Sequence, residues 1–207
     1  MTRRTSHPRV ASLLVERWSP RSFDESPVPD DDLETLFHAA GLAPSAFNRQ
    51  PWTFLYVRRG DQNWQRFLAL LLPFNAAWAK DAGVLVFIVS DMIGDDSGAN
   101  VSHSHSFDAG AAWAHLALQA TALGYQAHAM TGVDFDRAQA ELGIPRYHRL
   151  EAAVAIGRRG APERLPEALR GREVPSGRKG IGDIAVAGNF PDRSTGPAAR
   201  EPRHGPA

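Results

Sequence analysis

The stretch Val84-Leu85-Val86-Phe87-Ile88-Val89 is an uninterrupted apolar run rich in β-branched residues. Such a run is typical of a strand that is covered on both faces, because a half-exposed strand would alternate apolar and polar residues. Asp81-Ala82-Gly83 precedes it as a turn, and a polar loop over 91–104 follows it. The run therefore predicts the central strand of a sheet.

Helical and strand patterns alternate outward from this strand. Pro29-Asp30-Asp31-Asp32 is a strong helix start, and Gly41 ends that helix. The alanine-rich helix over 107–123 permits close helix–helix contact and suits the core of a dimer. The other predicted elements are helices over 8–17, 61–72 and 135–142 and strands over 52–58, 125–130 and 149–156. The class is therefore α/β or α+β.

The composition bounds both the size and the chemistry of the protein. A chain of 207 residues with 43% hydrophobic residues can form one sizeable core. Lys and Arg together number 23, as do Asp and Glu, so no basic face for nucleic acid is expected. The absence of cysteine excludes disulfides, thiolate nucleophiles, Fe–S clusters and cysteine-based zinc sites.

The two ends of the chain lack apolar segments of their own. Residues 1–10 have no stretch long enough for a secretory signal, and the longest apolar runs are too short to span a membrane. We expect a cytoplasmic protein with no membrane partner. From Arg158 onward Pro, Gly, Arg and Glu dominate, so this part cannot form a core by itself. We expect a single domain over 1–193 and a disordered tail over 194–207.

Arg17-Trp18-Ser19-Pro20-Arg21 brings two guanidinium groups and a hydroxyl together, and Pro20 prevents a regular helix there. Guanidinium groups and hydroxyls are good donors to a phosphate. Two arginines at a helix end are often only solvated charges, so the segment alone leaves that alternative open.

Pro44-Ser45-Ala46-Phe47-Asn48-Arg49-Gln50-Pro51-Trp52 is a rigid polar loop that enters the predicted strand over 52–58. The amides of Asn48 and Gln50 suit the recognition of a planar ring with hydrogen-bonding edges. Ser and Asn also often do no more than cap turns. Hydrogen-bond donors that suit a phosphate, together with amide groups that suit a ring, indicate a nucleotide-like cofactor.

These two segments resemble those of the nitroreductase family, whose enzymes use flavin mononucleotide (FMN). The first is similar to the family's Arg-x-Ser-x-Arg segment, and the second to its Pro-Ser-x-x-Asn-x-Gln-Pro-Trp loop. Phe74-Asn75 ahead of the central strand, and Asp108 followed by an alanine-rich helix, complete the resemblance, which extends from about Arg17 to Phe190. His128-Ala129-Met130-Thr131-Gly132 departs from the family in lacking an acidic residue.

The resemblance implies an α+β fold with a central, mainly antiparallel sheet flanked by helices. It also implies an intertwined homodimer whose C-terminal tail crosses to the partner, with FMN transferring hydride from NAD(P)H to a nitroaromatic or quinone acceptor in a ping-pong cycle. It assigns to cofactor binding the residues Arg17, Trp18, Ser19, Arg21, Pro44, Ser45, Asn48, Gln50, Asn75, Met130, Thr131, Gly132 and Arg178. No catalytic side chain is assigned, because the flavin carries the hydride chemistry.

Two alternatives remain open from the sequence. A flavin carrier or redox sensor without nicotinamide turnover would carry the same binding segments. His103 and His105 resemble a metal-binding pair, but no third ligand has an obvious spacing, and a mobile polar loop over the active site is the preferred interpretation. No metal site is therefore predicted.

Overall fold

The computed structural model describes residues 6–94 and 100–190. The chain divides into two compact units, Met1–Pro175 and Ser176–Ala207. In its described part the second unit contains a single 3-10 turn, Ile181–Asp183, in which the Gly180 N–H donates to the Asp183 carboxylate at 3.1 Å. The predicted tail over 194–207 lies outside the described residues.

The first unit is built on a four-stranded sheet in which every neighbouring pair is antiparallel. The spatial order is β1-β2-β4-β3. The strands are β1 Trp52–Arg58, β2 Val84–Asp91, β3 Gln126–Met130 and β4 His148–Gly157. All of β2 except Asp91 is buried, and β2 lies between two other strands. The α+β class and the central position of the opening stretch are therefore confirmed.

Helices flank this sheet. In the described residues they are α1 Ser12–Glu16, α2 Asp30–Gly41, α3 Trp64–Leu68, α4 Pro73–Ala79, α5 His105–Ala122, α6 Phe135–Glu141 and α7 Glu167–Arg170. The helix predicted over 61–72 is only five residues long, and α4 was not predicted. Pro73 explains the new helix, because a proline suits the first helical position and disfavours a helical residue before it.

The two faces of β2 supply two separate cores. Leu85, Phe87 and Val89 pack with apolar residues of α3, α4 and α7. The alternate residues of the strand pack with α2 and α5. This double cover explains why the strand is apolar throughout. None of the helices in the described part of the chain is both long and apolar enough to cross a membrane.

The alanines of α5 serve packing inside the chain. Ala109, Ala112, Ala117 and Ala120 are buried in the core that contains α2. Their small side chains let α2 and α5 approach closely, so the expectation that they form a dimer core is wrong for these four. Gly124, with φ of +79°, ends the helix as predicted.

Candidate functional site

The predicted phosphate segment is held in place by Glu173. Both carboxylate oxygens of Glu173 accept the backbone N–H of Arg21 at 3.0 Å, and Oε1 also accepts that of Ser22 at 2.9 Å. Glu173 is only 3% exposed. A carboxylate that replaces water at two backbone donors gives this irregular segment a fixed conformation. Nothing in the sequence marks Glu173, because it lies among many charged residues far along the chain.

The side chain of Arg21 has donor capacity to spare. Its Nε is buried and has no hydrogen-bond partner. Burial lowers the pKa of Arg21, the positive charge of Arg172 lowers it further, and Glu173 acts in the opposite direction. A partly buried guanidinium with an unpaired, buried Nε–H fits an anion such as a phosphate.

His128 supports the same segment from β3. Its Nδ1–H donates to the carbonyl oxygen of Pro20 at 2.9 Å. Burial lowers the pKa of His128 to about 4; its backbone carbonyl partners oppose the shift, and the charges of Arg21 and Arg17 add to it. The imidazole is therefore neutral near pH 7, and its ring packs 4.7 Å from that of Trp78.

A groove of about 360 Å³ opens beside Arg17 and Ser19. The Arg17 Nη1 donates to Ser19 Oγ at 3.3 Å, so both polar groups are on the same wall. The groove is also lined by Trp113, Ala117 and other apolar residues of α5, together with Ala129 of β3. Trp18 is buried and has the Arg159 guanidinium 5.1 Å above its ring, so it supports the segment from inside. The groove combines anion donors with an apolar face.

The loop from Pro44 to Trp52 is unusually constrained. Phe47, Asn48 and Gln50 all have positive φ angles, between 50° and 55°. Such angles cost roughly 1–3 kcal/mol each in non-glycine residues and concentrate at functional sites. The Gln50 N–H donates to Ser45 Oγ at 3.0 Å, and Gln50 Nε2 donates to Asn48 Oδ1 at 3.2 Å. The two amides predicted to contact the flavin are thus joined to each other.

Asp108 anchors this loop to the first turn of α5. Its Oδ2 accepts the Ala46 N–H at 3.2 Å and the Ser104 hydroxyl at 3.0 Å. The loop therefore attaches near residue 108, whereas the α5 residues that line the groove beside Arg17 run from Trp113 to Leu118, about 8 to 15 Å further along the helix. Phe47 at the tip of the loop is 95% exposed.

Asn75 and Gly132 form a close pair behind β3. Asn75 Nδ2 donates to the Gly132 carbonyl oxygen at 3.2 Å, and the Leu72 N–H donates to the same oxygen at 2.9 Å. A Cβ on residue 132 would lie 1.7 Å from Asn75 Nδ2, so any other residue would displace the Asn75 amide. Met130 is buried next to this pair, and Thr131 is exposed.

The structure thus brings the predicted residues into two groups. Arg17, Ser19 and Arg21 lie against β3, which leads directly to Met130–Gly132 and so to Asn75. The loop over 44–52 is attached to α5. Arg178 lies in the second unit, where its guanidinium contacts Ser176, and its role at a phosphate stays a prediction.

His105 does not belong to a polar loop, contrary to the sequence interpretation. It is the first residue of α5, is buried, and has Nδ1 2.8 Å from Ser90 Oγ. Ser90 Oγ in turn donates to Glu151 at 2.6 Å. A partner thus satisfies the imidazole inside the fold, and no group of three metal-binding side chains occurs in the described ranges.

A wider cleft, of about 680 Å³, lies between α2 and β1 and is lined by Leu33, Phe37 and Tyr56 among others. None of the residues predicted to bind cofactor lines this cleft. Its volume alone does not make it the better candidate, because donors that converge on a ligand are needed as well.

Comparison with known proteins agrees with this geometry. Residues 14–158 match the model of the nitroreductase family. A crystal structure of an oxidoreductase containing FMN is 46% identical, covers 91% of this chain and 96% of its own, and superposes with a TM-score of 0.88. An NADH dehydrogenase of Thermus thermophilus is 29% identical over an alignment of 178 residues that covers 70% of this chain and 84% of the relative. The CLA biosynthesis enone reductase of Lactiplantibacillus plantarum is 24% identical over an alignment of 185 residues that covers 72% of this chain and 85% of the relative. Since the family match covers well over half of the chain and the fold is the same, the chain belongs to the nitroreductase family.

Proposed function

We propose that this protein is an FMN-dependent oxidoreductase that transfers hydride from NAD(P)H to a conjugated acceptor such as a nitroaromatic or a quinone. The observation that carries the proposal is the phosphate segment. Glu173 fixes its backbone, and the buried Nε of Arg21 is left without a partner. The FMN-containing structural neighbour and the enone reductase relative support the cofactor and the conjugated acceptor, respectively.

The residues present fit FMN in both of its parts. Arg17, Ser19 and Arg21 would hold the phosphate, since Arg17 and Ser19 line the groove and the nearby Arg21 has a buried Nε without a partner. The ring would lie where β3 ends, near Thr131 and Gly132. The constrained Asn48 and Gln50 would hydrogen-bond to ring edges. Their loop attaches to the first turn of α5, whereas the groove beside Arg17 lies further along that helix, so we place these two amides at the FMN site of a second subunit.

Bound FMN supplies the redox chemistry by accepting a hydride from the nicotinamide and passing reducing equivalents to the acceptor in a ping-pong cycle. The role of the chain itself is to bind the flavin and to orient it. Neutral His128 holds the Pro20 carbonyl without adding a charge to the segment that would bind the phosphate. Asn75 fixes the backbone of Gly132, which sets the path of the segment behind the ring. No acid or base side chain is needed for this role.

We also propose a cytoplasmic homodimer with FMN between the subunits. Phe107 in the first turn of α5 is 81% exposed, and the apolar Leu14 and Phe47 are exposed as well. Exposed apolar side chains around a cofactor site are typical of an interface. A mass by light scattering tests this, and a flavin-loaded monomer at micromolar concentration would contradict it.

The decisive experiment has two steps. The cofactor is first released by heat and identified by chromatography, and FAD or no flavin would refute the proposal. The yellow protein is then mixed anaerobically with NADH or NADPH while the absorbance near 450 nm is followed. Bleaching within seconds is the expected result. A flavin-loaded protein that neither nucleotide reduces would instead be a carrier or a sensor.

A further inference from the structure

Another cleft, of about 600 Å³ and separate from the two described above, lies between α6 and the start of β4. This volume is within the range of small-molecule sites. Its walls combine apolar side chains, among them Met92, Phe135 and Leu150, with the cationic Arg146 and Arg149. None of the predicted phosphate-binding residues lines it.

Thr131 connects this cleft to the proposed flavin site. It lines the cleft, and it lies between Met130 and Gly132 at the end of β3. A molecule that reaches Thr131 from the cleft would therefore approach the end of the flavin site that is opposite to the phosphate segment. The cleft thus opens where a reacting substrate would have to enter.

Arg149 is held in position by a buried polar cluster. Glu151 Oε2 lies 3.6 Å from Arg149 Nε, while Oε1 accepts the hydroxyls of Ser90 and Ser106, each at 2.6 Å. The Glu151 side chain is only 17% exposed, and that of Arg149 is 61% exposed. The carboxylate is thus mostly buried, with Oε1 bound to two hydroxyls and Oε2 beside Arg149, whereas most of the Arg149 side chain is exposed and available to a ligand. Such preorganisation lowers the entropy cost of binding.

The neighbouring Arg146 lies on a loop that the Gln139 side chain holds in place. Gln139 Nε2 donates to the carbonyl oxygens of Ile144 and Pro145 at 2.9 and 3.2 Å. The Arg146 guanidinium lies 4.5 Å from the ring of Tyr147. His148, also in the cleft wall, has a buried Nδ1 without a hydrogen-bond partner. An unsatisfied buried nitrogen in a cleft wall indicates a missing ligand or water.

We propose that this cleft binds the anionic group, a carboxylate or a phosphate, of a conjugated or aromatic molecule whose reactive part reaches the flavin. This rests on the proposed function. Arg149 and Arg146 contact the anion, and Phe135 and Leu150 cover the apolar part. Two carboxylates also line the cleft. Asp136 on α6 repels an anion, whereas Glu151 on β4 is paired with Arg149, so the anionic group lies beside Arg146 and Arg149. The anion belongs either to the oxidising acceptor or to NAD(P)H.

The test compares two acceptors that differ in charge. 4-Nitrobenzoate carries a carboxylate, and its methyl ester has the same ring and nitro group without the charge. Steady-state kinetics are measured with the flavin-loaded wild-type protein and with Arg149→Gln and Arg146→Gln. Arg137→Gln is the matched control, since Arg137 is on α6 but does not line the cleft.

We expect KM for 4-nitrobenzoate to rise about tenfold or more in either cleft variant, because a charge-assisted contact is lost. KM for the ester and for the nucleotide should stay unchanged, as should all values in Arg137→Gln. If KM for NADH or NADPH rises instead, the anion is that of the nucleotide. Equal changes for 4-nitrobenzoate and its ester, or no change for any charged reactant, would overturn the proposal.

Failure of the proposed function has a different signature. A protein whose flavin is not reduced by either nucleotide gives no turnover with any acceptor. Binding of 4-nitrobenzoate to the oxidised protein is then followed by the change in flavin fluorescence. Weaker binding in Arg149→Gln than in Arg137→Gln would still support the anion site, and equal binding would refute it.

Discussion

The backbone N–H of Arg21 lies 3.0 Å from each carboxylate oxygen of Glu173, which is 152 positions away in the chain. This pair couples the C-terminal end of the first unit to the segment proposed to hold the phosphate. Folding of that end is therefore a condition for the cofactor site.

Removal of the Glu173 carboxylate should weaken both the fold and the site. In Glu173→Ala the buried N–H groups of Arg21 and Ser22 lose their acceptor, which costs about 1–3 kcal/mol each. We expect a lower free energy of unfolding in urea and a higher Kd for FMN. The control is Glu167→Ala, an exposed glutamate of α7. Equal FMN affinity in the two variants would show that the segment keeps its conformation without Glu173.

Arg21→Gln tests the phosphate contact directly. The loss of a charge-assisted hydrogen bond should raise the Kd for FMN about tenfold to a hundredfold. Riboflavin, which lacks the phosphate, should bind the variant and the wild type alike. Arg9→Gln removes an exposed arginine near the N-terminus and should change neither affinity. If the affinity for riboflavin falls by the same factor as the affinity for FMN, Arg21 acts on the ring site or on the fold.

Gly132→Ala should disrupt the pair with Asn75. Its Cβ would lie 1.7 Å from Asn75 Nδ2, so the amide must move and the hydrogen bond to the 132 carbonyl is lost. We expect lower stability and weaker FMN binding. In the double variant with Asn75→Ala the clash is absent, so the two effects on stability should be less than additive. Gly110→Ala on α5 has open space around its Cβ and should be neutral or stabilising.

The depressed pKa of His128 predicts a pH dependence of stability. The imidazole titrates near 6.5 in the unfolded chain and near 4 in the fold, so the unfolded state binds the extra proton between these values. Stability should therefore fall as the pH drops from 6.5 towards 4, with a slope of up to about 1.4 kcal/mol per pH unit from this group. His128→Asn should flatten the curve relative to wild type.

If the C-terminal tail crosses to the partner subunit, as the family resemblance implies, two shortened chains should behave differently. A chain that ends at Pro175 keeps Glu173 but loses Arg178, so it should bind FMN more weakly and lose dimer stability. A chain that ends at Arg193 should behave as the full protein does, because 194–207 has little to bury. An end at Gly171 would not separate these effects, since it also removes Glu173. A fully flavinated dimer that ends at Pro175 would refute the crossing tail.

Much of the candidate site could be predicted from the sequence because its residues are close together in the chain. The spacing of Arg17, Ser19 and Arg21 is local, and so is that of Asn48 and Gln50. Glu173, His128 and the cluster around Glu151 could not be found this way. Their partners are distant in the chain, and a lone Glu or His has no local pattern that indicates which backbone group it will meet.

The sequence by itself determined the central strand, the order of the main elements and the family. Hydrophobic periodicity and short motifs depend on neighbours in the chain, and both survive in the sequence as patterns. Only the tertiary structure decided that His105 is buried against Ser90, that α5 uses its alanines to approach α2, and that Glu173 closes on Arg21. Each of these depends on which elements the sheet order brings together, because a hydrogen bond or a close packing contact requires two surfaces to meet within a few ångströms.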